Sequence, residues 1–211
     1  MNFMQHLEKA WLSTLGFIGP VLLITVVQIL VTIVSFGILA PVTAAGYTQS
    51  LLRAQRDGRP PEIRDLFSTM SLFLPLFGFF LLVSIAIIIG FMFLVLPGFA
   101  VAFLVIFATM YMIPLMTDRG MPLMEAVKSS WEMATRPPIT DQLAVSLACL
   151  IILSVGGSIP FAIFVAQPFA MFLLLSVYEQ RLGRQVKRER LDQHIPPPPP
   201  PSPSPEQGGT Y

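Results

Sequence analysis

The sequence predicts an all-α protein: an integral membrane bundle of about six transmembrane helices in three hairpins, each preceded by a short amphipathic helix in the interface. Three observations predict it. The first is composition. Of 211 residues, 54% are hydrophobic and 12% charged, with a mean hydropathy of +0.72, whereas about a quarter of a soluble domain is charged. The second is distribution. All Asp, Glu, Lys and Arg fall in four patches, at 8–9, 53–65, 118–141 and 179–206, leaving uncharged stretches of 43, 52 and 37 residues at 10–52, 66–117 and 142–178. A soluble core cannot keep charge off stretches of that length. One crossing needs about 20 residues, so each stretch holds two. The third is a turn signal near the middle of each stretch: Ser35-Phe36-Gly37 with Pro41, then Leu96-Pro97-Gly98, then Gly156-Gly157-Ser158-Ile159-Pro160. Gly and Pro punctuate chains, and Pro suits the first turn of the next helix.

Topology follows from charge. The three mid-stretch turns are bare, whereas every other connection carries Lys or Arg, which collect on the cytoplasmic side. Three hairpins with both termini in the cytoplasm result. The first apolar run far exceeds the roughly 7–15 residues of a signal-peptide core and reads as a span.

Each hairpin has an amphipathic lead-in. Phe3, Met4, Leu7 and Trp11 fall within about 100° of a helical wheel. Leu123, Met124, Val127 and Trp131 do the same at an offset of 120 residues, and Ile63, Leu66, Phe67 and Met70 form a similar face between them. Such helices suit the interface, with Trp11 and Trp131 as headgroup-level anchors. Gly58, Gly120 and Gly183 are placed to end the hairpins, and Pro60 and Pro122 come soon after the first two. The chain therefore reads as a transmembrane domain over 1–183 built from tandem units at about 2–58, 61–120 and 122–183. Beyond it lie a basic juxtamembrane segment at 184–194 and a disordered Pro-rich tail at 195–211.

The return helix of the first hairpin, about 38–56, is short and semi-polar. Its Ala40, Ala44, Ala45 and Gly46 permit close helix approach, which places it inside the bundle. The alternative is five spans, the N-terminus outside and 38–56 along the interface.

The segments "GILAPVTAAGYTQSLLRAQRDGRPPEIRDLF" and "LPGFAVAFLVIFATMYMIPLMTDRGMPLMEAVKSSWEM" resemble bacterial inner-membrane proteins of uncharacterised families. Among these is the membrane-embedded region fused to some glycerophosphodiester phosphodiesterases. The resemblance covers roughly residues 3–183 and implies a six-helix bundle in the bacterial inner membrane, with no functional residues to carry over. No soluble stretch is long enough for a phosphodiesterase domain.

Chemistry is sparse. No Asp, Glu, His, Lys or Arg falls inside a predicted span, which disfavours proton relays and intramembrane acid–base catalysis. The long polar groups there are Gln28, Gln49 and Gln167, which read as interhelical hydrogen bonds or as a polar path. His6 and His194 lie at opposite ends and Cys149 is alone, so no metal-ligand spacing, disulfide, catalytic constellation or cofactor motif is expected. The 11 methionines read as flexible packing. Asp57, Asp65 and Asp118 read as solvated charges at the membrane face.

Arg53, Arg56, Arg59 and Arg64 border the first connection, and Arg181, Arg184, Lys187, Arg188 and Arg190 come after the last span. They read as topogenic, with anionic lipid headgroups as a second role. A net charge of +1 gives no reason to expect a nucleic-acid partner. The prolines within 196–205 favour an extended polyproline II segment that can dock a cytoplasmic partner. The leading expectation is a non-enzymatic scaffold, assembly or partner-binding subunit that contacts the bilayer and other membrane proteins. A small permease or channel, passing solute near the three glutamines, is the alternative.

Overall fold

The computed structural model describes residues 3–93, 95–137, 139–159 and 161–193. The chain forms α1 (Phe3–Gly16), α2 (Ile18–Val34) and α3 (Ala40–Asp57), then two 3-10 turns (Ile63–Phe67 and Met70–Leu72). After them come α4 (Phe73–Phe93), α5 (Val95–Thr109), α6 (Met112–Arg119), α7 (Leu123–Thr135), α8 (Ile139–Ser158) and α9 (Ile163–Gln193). No strand occurs among the described residues. The segments Ile63–Met92, Ala102–Arg119, Ile139–Ser158 and Ile163–Arg184 are long and apolar enough to cross a membrane. The pair α1 and α2, bent by 87°, makes a fifth if it counts as one span.

The helix α3, which is not among these apolar segments, is the centre of the bundle. Eleven of its 18 residues are buried, so it lies inside protein rather than along the interface. The reason is its small and hydroxylated side chains. Thr43 and Thr48 satisfy their own hydroxyls at carbonyls four residues back, and Tyr47 bonds Thr25 on α2 at 2.9 Å. A Cβ on Gly46 would overlap the carbonyl oxygens of Asp65 and Leu66. Only glycine there lets the 3-10 segment lie directly on the helix.

That contact alters one lead-in. Residues 63–72 form two 3-10 turns instead of the amphipathic helix that the pattern suggests. Tertiary bonds hold the tighter winding: Ser50 donates to Asp65 at 2.8 Å and Thr69 donates to the Val42 carbonyl at 3.1 Å. Leu66 is fully buried, whereas Ile63, Phe67 and Met70 remain exposed. The other lead-ins are helical. In α1, Ala10 and Thr14 are buried. His6 bonds Ser176 and Gln180 on α9, and the Trp11 ring meets Phe169 edge to face at 5.7 Å. Tertiary packing on α9 thus holds α1. Trp11 and Trp131 are each 46% exposed.

The turns fall close to their signals. Phe36 and Gly37 both have positive φ, 50° and 82°, between α2 and α3. Leu96, Pro97 and Gly98 are helical, within α5. Gly58 and Gly120 are left-handed caps of α3 and α6, φ 67° and 63°. Gly183 is not: α9 runs through it to Gln193. Residues 184–193 are mostly strong helix formers, and one glycine costs only about 1 kcal/mol against them. The basic juxtamembrane segment is therefore a continuation of the last span. At about 1.5 Å per residue, the 31 residues of α9 exceed a hydrocarbon core of about 30 Å.

Candidate functional site

The charged connections converge at one end of the bundle. Arg56, on the last turn of α3, directs a planar fork at two helices. Its Nε donates to Glu179 on α9 at 2.8 Å, and its terminal nitrogens engage both oxygens of Asp118 on α6. Tyr178 donates to Asp118 at 3.0 Å, Gln55 donates to Glu179 at 2.8 Å, and Lys9 on α1 reaches Glu179 at 3.5 Å. Bidentate arginine–carboxylate pairing is among the stronger side-chain contacts and fixes orientation as well as distance. One guanidinium thus ties α3, α6 and α9 together, and Lys9 adds α1.

A second cluster surrounds Asp65, whose side chain is 7% exposed. It accepts from Ser50 at 2.8 Å, from the Glu62 backbone N–H at 3.3 Å and from Arg59 at 3.3 Å, with Arg53 at 3.8 Å. The hydrogen bond that the half-buried Arg59 donates to the Glu62 carboxylate, with the Asp65 charge behind it, pushes Arg59 further toward its charged form. Arg64 pairs with Glu62 and stays largely exposed. A third contact belongs to Arg181, which donates to the Met133 and Arg136 carbonyls and so caps the C-terminal end of α7.

These contacts revise the reading of Asp65 and Asp118 as solvated charges. Asp65 is buried and Asp118 is held by Arg56 and Tyr178. Nothing local distinguishes Asp65 from Asp57, because its burial comes from Gly46, about 20 residues away in sequence. Arg184 is exposed. Lys187, Arg188 and Arg190 ride on the last turns of α9, with side chains outside the described residues, as is the whole Pro-rich tail.

The glutamines separate into two places. Gln167 donates to Gln28 at 2.8 Å, joining α9 to α2. Gln49 instead donates to the Thr117 carbonyl and accepts from Ser68, at the charged end. Between these places α3 carries the buried Tyr47. A further polar contact that sequence reading missed is Tyr111 with Gln142 at 2.6 Å, both buried. Among the described residues no group of three His, Cys, Asp or Glu side chains is placed to hold a metal ion.

Fold and charged junction together define an all-α integral membrane bundle locked at one end by ion pairs. Comparison with family models, with curated proteins and with solved structures finds no match to this chain.

Proposed function

We propose that the protein is a non-enzymatic scaffold or partner-binding subunit of the bacterial inner membrane, and that α4 docks another membrane-spanning polypeptide. The observation that carries this reading is the exposure of α4. In the segment Ile63–Met92, 6% of the most apolar 18 residues are buried, against 28% to 44% in the other three candidate spans. Two further features support it. A Cβ on Gly78 would meet nothing within 4 Å, and Ala86 and Gly90 sit four apart on α4. Small residues at that spacing let transmembrane helices approach closely.

The rest of the bundle suits a platform. The ion pairs hold α1, α3, α6 and α9, while α4 packs against α5, α3 and the 3-10 segment. All these charged connections take the cytoplasmic side by the positive-inside rule, with both termini there. Arg64 and Arg184 are available to anionic headgroups, and Trp11 and Trp131 serve as interfacial anchors. The element order of lead-in, span and return supports descent from three tandem units. The Pro-rich tail would add capture of a cytoplasmic partner. A permease is less well supported, because Gln49 does not join Gln28 and Gln167 in one polar route.

A photo-crosslinking side chain placed in cells at Leu81 or Ile88, both exposed on α4, tests the reading. It should yield a discrete protein adduct, whereas the same probe at Leu153 on α8 should not. Lipid adducts alone at every α4 position would refute it.

A further inference from the structure

Among the described residues, two of the cavities between the helices differ in how far their polar groups are satisfied. The larger, about 610 Å³, lies among α3, α4, α5, α6, α8 and α9. Its Thr48, Thr109 and Ser146 hydroxyls each donate to a carbonyl four residues back on their own helix, which leaves the single hydroxyl of Ser154 in a lining that is otherwise mostly apolar.

The second, about 490 Å³, lies under the turn between α2 and α3 and is bounded by α2, α3, α4 and α9. Gly37, Ala40 and Ala44 make the space, the two alanines standing one turn apart on α3. Its polar lining is Gln28, Thr32, Ser84 and Gln167. The Gln167-to-Gln28 bond uses one donor and one acceptor. Among the described residues the Gln28 amide nitrogen and the Gln167 carbonyl oxygen have no other hydrogen bond. Exchanging oxygen and nitrogen in both amides leaves the same result, one free donor group and one free acceptor. Thr14, Thr25, Thr43, Thr48, Thr109, Thr117 and Thr135 all bond a carbonyl four residues back. Thr32 and Ser84, which face this cavity, make no such bond.

We infer that this cavity is a binding site for a small uncharged amphiphile whose head carries a donor beside an acceptor, as a carboxamide or an un-ionised carboxyl group does. The free amide donor of Gln28 and the free carbonyl of Gln167 match that pair. Thr32 and Ser84 can take either role, and Ile29, Ile33 and Phe80 cover a short apolar body. The lining holds no ionisable side chain, so a charged head would enter hydrocarbon depth uncompensated. The volume falls in the range of roughly 300–1,000 Å³ typical of small-molecule sites.

Octanamide is the probe, with octane and octanoate as controls, on the full chain in mild detergent. Octanamide should raise the unfolding temperature saturably, while the controls raise it less and without saturation. Gln28→Leu and Gln167→Leu should each weaken the apparent affinity about ten- to a hundredfold, as expected when a buried partner is lost. Should either variant fail to fold, Thr32→Val with Ser84→Ala removes the two outer hydroxyls, and Ala44→Leu fills the space. The first should weaken binding and the second abolish it. Octane matching octanamide, no saturable response, or folded variants that bind as well as the parent would each overturn the inference.

Discussion

Two glycine-to-alanine substitutions should have opposite signs, although both lie inside helices. In an exposed helix interior, Gly→Ala stabilises by about 1 kcal/mol, because alanine loses less backbone freedom on folding. Gly78→Ala on α4 meets this condition, since the new methyl would touch nothing within 4 Å. Gly46→Ala on α3 does not. There the methyl would overlap the Asp65 and Leu66 carbonyl oxygens and sit 2.6 Å from the Leu66 carbonyl carbon. Backbone atoms cannot turn aside as a side chain would, so the 3-10 segment must lift. Overpacking of this kind costs about 1–3 kcal/mol. Lifting also weakens the 2.8 Å bond from Ser50 to Asp65, and hydrogen bonds to charged groups contribute about 1.5–3 kcal/mol. Set against about 1 kcal/mol of helix propensity, the net loss is about 2–4 kcal/mol. Reversible unfolding in mixed micelles gives both values, with Ser50→Ala in the Gly46→Ala background as a check on shared energy. A Gly46→Ala protein as stable as Gly78→Ala would refute the close approach of the 3-10 segment to α3.

Three further predictions concern the charged end and the topology. Arg56→Met and Asp118→Asn should each destabilise, and their double-mutant cycle should give a coupling of about 1–2 kcal/mol that shrinks at high salt; zero coupling would mean the pair is solvated. In a Cys149→Ala background, cysteines replacing Phe36 and Ser158 should react with an impermeant reagent from the periplasmic side. Cysteines replacing Gly58 and Gly120 should not, and labelling of residue 120 from outside would reverse the charged end. Trp11 and Trp131, half-exposed on α1 and α7, should emit blue-shifted fluorescence quenched by lipids brominated at shallow depth. Emission like indole in water would place both rings away from the bilayer.

Much of the architecture was legible in the sequence because a membrane imposes one-dimensional rules. Charge is excluded from hydrocarbon, so blank stretches mark the spans. Backbone polar groups must be satisfied internally, so the spans are helices. Gly58 and Gly120 were readable as stops because only glycine enters the left-handed region cheaply. Gly183 has the same spacing but no such conformation. A glycine ends a helix only where the next residues cannot extend it, and there a run of helix formers wins. The 3-10 form of residues 63–72, the burial of Asp65 and the fork of Arg56 came from tertiary structure alone. Each joins residues that are distant in sequence or separated by a loop, and composition carries no record of that. The glutamines show the same division. Their presence inside spans is a sequence property, with a cost that demands partners. That Gln28 finds Gln167 while Gln49 finds Thr117 was decided by packing: small side chains on α3 bring α2, α4 and α9 around one end of it, and Gly46 draws the 3-10 segment onto its middle.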